Sequence, residues 1–90
     1  MSGSGYRGGM DLAAEFTTEP FRGEGEPPAH VSAAAEALLQ AGLTPDLGPF
    51  GTSVRGGAER LLPALERAME AAFASGATRF TLQVSPHDGG

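Results

Sequence analysis

Apolar and polar positions alternate near both ends of the chain, with the two-residue period of a β-strand that buries one face. The first such segment runs from Met10 to the strand-breaking Pro20, and the last spans residues 78–85. Their apolar rows are Leu12, Ala14, Phe16, Phe80, Leu82 and Val84. Both rows are therefore expected to face the same core.

Two other segments repeat their apolar residues every three or four positions, as amphipathic helices do. The first follows Pro28, which suits a first helical turn, and ends at Gly42, which can adopt the left-handed conformation of a helix stop. The second is predicted to begin at about residues 61–62, with Pro63 in its first turn, and to end at Gly76. The predicted buried stripes are Val31, Ala34, Ala35, Leu38 and Leu39 in the first helix, and Leu61, Leu62, Leu65, Ala68, Met69, Ala72 and Phe73 in the second.

The centre of the chain holds two short extended runs around the turn Gly48-Pro49-Phe50-Gly51. Glycine and proline in so short a link favour a hairpin. Its strands are predicted over residues 44–47 and 51–55, and Pro45, which donates no ladder hydrogen bond, places the first of them at a sheet edge. The resulting order βαββαβ predicts a ferredoxin-like α/β (α+β) sandwich, with antiparallel sheet order 4-1-3-2 and both helices on one face.

This topology leaves the other face of the sheet uncovered. Strand parity places a set of polar residues there: Glu15, Thr17, Ser53, Arg55, Arg79, Thr81 and Gln83. Such a face can simply be solvated, or it can hydrogen-bond a ligand or a second subunit. The core is expected to contain Phe16, Leu65, Met69, Phe73, Phe80 and Leu82. Within it, Leu65→Ala should cost about 2 to 5 kcal/mol.

The chain has 90 residues and is predicted to form one domain at residues 10–85, between a flexible Ser- and Gly-rich tail at 1–9 and a frayed end at 86–90. So small a core is marginal unless it shares surface with another copy, so we expect a homo-oligomer, a dimer or a dimer of dimers.

The net charge of −5 opposes nucleic-acid binding. Without a membrane-spanning stretch or a signal peptide in the sequence, a cytoplasmic location is expected.

The sequence carries no recognisable catalytic or metal-binding motif. It has no cysteine, and His30 and His87 lack metal-ligand spacing, so neither a metal, a cofactor nor an enzymatic activity is expected. His30 is predicted to be a solvent-facing or helix-end side chain, and His87-Asp88 to lie in the frayed end. An acylphosphatase-like activity is an alternative on this fold, but the loop after the first strand offers Arg22 without a set of groups to position a nucleophile.

The turn at Phe50 is the candidate binding site. The Phe50 ring can cap the core, or it can line a pocket in which Thr52 and backbone groups orient a small heterocycle.

Several of these segments together resemble the YkoF-related thiamine-binding family. They are Ala14-Glu15-Phe16 followed by Pro20, the helix Ala35-Glu36-Ala37-Leu38 ending at Gly42-Leu43, the turn Gly48-Pro49-Phe50-Gly51-Thr52, and Ala72-Phe73 before Gly76-Ala77-Thr78-Arg79. The similarity runs from about Asp11 to Val84. Its most specific part is the Gly-Pro-(Phe or Met)-Gly-Thr turn at this spacing after a Gly-Leu helix end. The resemblance implies small ferredoxin-like proteins that associate through their sheets and bind thiamine or its hydroxymethylpyrimidine moiety without chemistry.

Two features depart from that family. Arg55 stands where the family usually has an acidic residue before the glycine that ends the third strand, and the charged C-terminal extension is reduced to residues 86–90. Loss of an acid weakens the attraction for a cationic thiazolium.

Strand parity and the position of the turn suggest which residues would bind the ligand that the resemblance implies: Glu15, Thr17, Phe50, Thr52 and Ser53. Phe50 would stack on a flat aminopyrimidine, while Glu15 would accept from its amino group or balance the thiazolium charge. The three hydroxyl groups would fix the ligand's orientation. The alternative function is an interaction module, without a small ligand, whose open sheet face or edge strand docks another protein.

Overall fold

The computed structural model describes residues 10–20 and 27–87, and the predicted order βαββαβ is confirmed. The elements are β1 (Asp11–Glu19), α1 (Ala29–Gln40), β2 (Asp46–Gly48), β3 (Gly51–Gly57), α2 (Ala58–Ala74) and β4 (Arg79–Pro86). The tail expected at residues 1–9, Arg22, and residues 88–90 of the expected frayed end lie outside the described residues.

The four strands form one antiparallel sheet in the order β2-β3-β1-β4, which is the predicted order read from its other edge. Along β1 every even-numbered residue from Leu12 to Thr18 is buried, whereas the odd-numbered residues are exposed or half-buried. Buried residues of both helices, among them Ala34, Leu38, Leu61 and Leu65, belong to the same core as Leu12, Ala14 and Phe16. Both helices therefore cover one face of the sheet, as predicted, and the opposite face, here called the open face, carries the odd-numbered residues of β1.

The core between the helices and the sheet is built largely from small side chains. Its largest fully buried residues are Leu38, Leu61 and Leu65. Around them, alanines with little or no exposed surface let the two helices and the sheet approach closely: Ala14, Ala34, Ala58, Ala64, Ala68 and Ala72. Because alanines fill so little volume, the three leucines supply much of the apolar burial.

Several of the predicted core positions are wrong. Leu39 and Phe73 are 53% and 50% exposed, and Val31 and Met69 are only half-buried. In α1 the predicted Ala34, Ala35 and Leu38 are buried, and His30 takes the place of Val31 and Leu39 in the buried stripe. In a helix with so many alanines, neighbouring apolar positions differ little in hydrophobicity, so the pattern alone does not decide which one faces the sheet.

Phe73 contributes to an aromatic cluster at the edge of the core. Phe80 stacks on Phe16, with ring centroids 4.7 Å apart, and Phe73 meets Phe80 at 6.4 Å in a tilted arrangement. Phe80 and Leu82 are half-buried and pack against the core, whereas Val84 is exposed. The alternation of β4 is therefore as predicted, but its burial is shallower because α2 covers this edge strand incompletely.

The second helix begins at Ala58, earlier than residues 61–62, so Pro63 lies inside the helix rather than in its first turn. The backbone N–H of Ala58 donates to the carbonyl of Met10 at 2.9 Å, and the chain passes from β3 into α2 without an intervening loop. The strand β3 correspondingly extends through Gly57 instead of ending at Arg55. Tertiary contact with the start of β1 thus overrides the preference of proline for the first turn.

The C-terminal strand also extends further than predicted. It runs through Pro86, and the backbone N–H of His87 donates to the carbonyl of Asp11 at 2.9 Å. Pro86 therefore belongs to the sheet, and His87 is hydrogen-bonded to it, so neither residue lies in a frayed end. Both glycines predicted to end helices, Gly42 and Gly76, have positive φ. Within the described ranges, neither helix has the length and apolar content needed to cross a membrane.

Candidate functional site

A row of polar residues crosses the open face from one sheet edge to the other. Glu15 of β1 lies opposite both Ser53 of β3 and Gln83 of β4, and Ser53 lies opposite Asp46 of β2. Directly opposed residues bring their Cβ atoms to within about 5 Å of each other. Asp46, Ser53, Glu15 and Gln83 therefore present two carboxylates, a hydroxyl and an amide in one line, here called the acid row.

A depression lies on each side of the acid row, because the side chains there are missing or short. On one side Gly48 is opposite Gly51, and on the other Ala13 is opposite Arg55 and Ser85. The first depression, the turn cleft, has a volume of about 290 Å³ and is lined by Glu15, Phe16 and residues 48–53. The second, the Ala13 cleft, has a volume of about 390 Å³ and is lined by Ala13, Ala14, Glu15, Thr44, Asp46, Ser53, Val54 and Arg55. Glu15 and Ser53 line both clefts and form the ridge between them.

Phe50 stands at the tip of the β2–β3 hairpin. It is 87% exposed, so it does not cap the core. Because Phe50 lines the turn cleft, its ring is available to stack on a flat molecule bound there.

Gly51 fits this hairpin because of its backbone conformation. None of the described non-glycine residues has a positive φ, whereas Gly51 has a φ of 154°. A Cβ atom at this position would lie 3.0 Å from the carbonyl oxygen of Phe16 and 3.1 Å from Cγ2 of Thr17. The close approach of β3 to β1 at the floor of the turn cleft therefore requires glycine here.

Thr52 is not brought together with the other predicted site residues. It is opposite Phe16 and Leu47, is 4% exposed and points to the helix side of the sheet. Consecutive strand residues point to opposite faces, so Thr52 and Ser53 cannot both present side chains to the open face. Thr52 lines the turn cleft, but its buried side chain lies on the helix side, so its hydroxyl is not brought together with Glu15 and Ser53 as predicted.

The remaining predicted residues do lie together. Glu15 and Ser53 are neighbours in the acid row, and the exposed Thr17 lies beside Gly51 at the edge of the turn cleft. Thr17 is also opposite Thr81, which adds a second hydroxyl to this end of the face.

Asp46 is the acid that the sequence interpretation missed, although the hairpin contained the signal. A two-residue turn at Pro49-Phe50 pairs Gly48 with Gly51, and two positions further along each strand it pairs Asp46 with Ser53. The turn length alone therefore places a second carboxylate next to Ser53. Asp46 also supplies negative charge near the position where Arg55 replaces the family's usual acid.

The cationic side chains of the open face contact residues outside the acid row. Nη1 of Arg55 is 2.7 Å from Nε2 of His87, and Nη1 of Arg79 is 3.9 Å from a carboxylate oxygen of Glu19. Neither arginine forms an ion pair with the acid row in the part of the chain that the structure describes. In the same residues, no group of three or more His, Asp or Glu side chains is arranged to hold a metal ion.

His30 lies in the first turn of α1, which agrees with the predicted helix end, but its side chain is buried and does not face solvent. It is 4% exposed, and its Nδ1 lies 2.8 Å from Oγ1 of the buried Thr18. No described residue hydrogen-bonds its Nε2 atom. The helix-facing hydroxyl of Thr18 is the hydrogen-bond partner that a buried imidazole needs. Because this hydroxyl points to the helices, His30 lies on the side of the sheet remote from the acid row.

Comparisons with known proteins agree with this fold. The sequence model of the family described as thiamine-binding protein matches residues 14–88. A protein from Streptococcus pneumoniae is 21% identical, with a TM-score of 0.65 over 90% of this chain and 89% of that one. A domain of unknown function from Bacillus cereus is 21% identical, with a TM-score of 0.64 over 92% and 81%.

A third similar structure is a protein from Thermotoga maritima that is proposed to act in thiamine biosynthesis or salvage. It is 20% identical, with a TM-score of 0.61, and the alignment covers 88% of this chain and 85% of that one. At such identities these structures establish the ferredoxin-like fold alone. No curated protein matches the chain in sequence.

Proposed function

The chain belongs to the thiamine-binding protein family, and from this premise we propose that it binds thiamine or its hydroxymethylpyrimidine moiety without catalysing a reaction. The observation that carries the proposal is the acid row beside the turn cleft, with the exposed Phe50 at the other side of that cleft. The Thermotoga maritima structure, a protein proposed to act in thiamine biosynthesis or salvage, is consistent with it.

The acid row suits a cation that carries a flat ring. Asp46 and Glu15 are separated by one strand, so their Cα atoms are roughly 10 Å apart, given two strand spacings of about 4.8 Å. A thiazolium above Ser53 would interact with both carboxylates. The presence of Asp46 thus offsets the loss of acid at Arg55.

The aminopyrimidine would occupy the turn cleft. Its face would stack on Phe50, and its amino group would donate to Glu15. Gln83 and Thr17 border this position and offer further donors and acceptors. In this arrangement the named residues only bind the ligand, and none of them acts as a nucleophile or a base.

Glu15→Gln is expected to weaken thiamine binding by about five- to tenfold, because an exposed carboxylate that pairs with a cation and accepts a hydrogen bond contributes on the order of 1 kcal/mol. Isothermal titration calorimetry of the full chain measures the change. Glu66→Gln on the exposed side of α2 removes the same charge far from the open face and serves as the matched control. Equal affinities in the two variants would place the cation elsewhere.

We also propose that the protein self-associates, as a dimer or a dimer of dimers. No helix of the described residues covers the open face, and the edge strands β2 and β4 expose Leu47 and Val84. Burying such an edge or face would shield apolar surface in a domain whose own core is small. Light scattering at tens of micromolar protein is expected to give a multiple of the 9.1 kDa chain mass. A monomer mass would confine the binding site to a single chain.

A further inference from the structure

We propose that the Ala13 cleft is a subsite for a phosphate monoester, with Arg55 as its anion-binding residue. The favoured ligand class would then be a thiamine-type cation whose alcohol carries a phosphate, rather than the free alcohol. This inference rests on the proposed function, because it takes the acid row as the place where the cationic ring binds.

Arg55 forms no ion pair with a described carboxylate, although Glu15 and Asp46 line the same cleft. It is exposed, and its only described side-chain partner is the imidazole of His87, 2.7 Å away. A guanidinium group can only donate, so Nε2 of His87 accepts the hydrogen bond, and the other N–H groups of Arg55 are left for a ligand. His87 is itself fixed by its backbone hydrogen bond to Asp11, so it acts as a positioning residue for the guanidinium.

The cleft beside Arg55 has room and donors for an anion. Ala13 provides a low floor between Arg55 on β3 and Ser85 on β4. The hydroxyl-bearing residues Thr44 and Ser53 line the same cleft. A guanidinium fork with nearby hydroxyl groups is a common way for proteins to bind a phosphate group.

The charged side chains on this part of the open face are the guanidinium of Arg55 and the carboxylates of Glu15 and Asp46. Arg55 lies two residues from Ser53 along β3, so their Cα atoms are roughly 6.7 Å apart, and the Arg55 guanidinium extends from there to His87. A ring cation joined to a phosphate through a short flexible chain can span that separation. The chain as a whole carries a net charge of −5, so an anionic ester would be disfavoured without a local cation.

The test compares thiamine with thiamine monophosphate by isothermal titration calorimetry on the full chain at low ionic strength. The monoester is expected to bind about five- to tenfold more tightly than thiamine, the range for a charge-assisted contact at an exposed site. In Arg55→Gln the ratio of the two dissociation constants should fall to about one. Arg55→Lys keeps the charge but loses the planar fork, so it should restore the preference in part.

Arg79→Gln provides the matched control, since it removes one positive charge from the same face at the end where Arg79 lies near Glu19. It is expected to leave the preference for the monoester intact. Equal affinities of the wild-type chain for the two ligands, or a preference that survives in Arg55→Gln, would overturn the inference while leaving the proposed function standing. Failure of both ligands to bind the wild-type chain would overturn both.

Discussion

Leu38→Ala is expected to lower the free energy of unfolding by about 2 to 5 kcal/mol. Leu38 has no exposed surface and is one of the three largest fully buried side chains. Many of its neighbours in the core are alanines, which have no flexible side chain to move into the space left by a shortened residue. Urea denaturation monitored by circular dichroism measures the loss.

The adjacent residue gives the matched control. Leu39→Ala makes the same chemical change one position further along α1, at a side chain that is 53% exposed, and should cost less than about 1 kcal/mol. A small domain has only about 5 to 15 kcal/mol of stability, so the difference between the two variants is readily measured. Equal losses would mean that α1 presents a different face to the sheet.

Thiamine at 100 times its dissociation constant is expected to stabilise the folded protein by about 2.7 kcal/mol, since a ligand that binds the native state alone shifts the unfolding equilibrium by mass action. For a domain of this size, the shift in the midpoint of thermal unfolding is roughly 10 to 20 °C. Differential scanning calorimetry with thiamine, its phosphates or hydroxymethylpyrimidine checks it. No shift at millimolar concentrations would favour the protein-interaction alternative.

Two variants locate the ligand in the same experiment. Phe50→Ala should reduce the thermal shift, because it removes the stacking ring without disturbing the core. Thr52→Val should retain the shift, because the Thr52 side chain is buried on the helix side of the sheet. A shift that depends on the Thr52 hydroxyl and not on Phe50 would move the site to the other face.

Much of the fold could be predicted from the sequence because its strongest patterns are local. The alternation from Leu12 to Phe16 and the Gly-Pro turn at residues 48–51 each follow from short-range geometry, and the sheet order follows from the element order. What failed depended on contacts between distant segments. The burial of His30 depends on a hydroxyl from β1, and the early start of α2 on a carbonyl at Met10.

The candidate site was also predicted only in part, because strand parity is local whereas the pairing of strands is not. Glu15 and Ser53 were assigned to one face by strand parity, and the structure pairs them. Thr52 was added from its position near the turn, although parity places it on the other face. Asp46 was missed because its partner is known only when the hairpin register is counted from the turn.

The strand order has a further consequence for how the chain reaches its native state. The central strand β1 comes first in the chain, yet both of its partners, β3 and β4, come after long intervening segments. During synthesis, the hydrogen-bonding groups along one side of β1 stay unpaired until β4 has been made. Among the strands of the described sheet, β4 is synthesised last. The hairpin β2–β3 is the only strand pairing between consecutive strands of the described sheet. Such non-local pairing predicts slow folding for a small domain. Until β4 has been synthesised and has paired, the apolar row of β1 stays exposed and can aggregate.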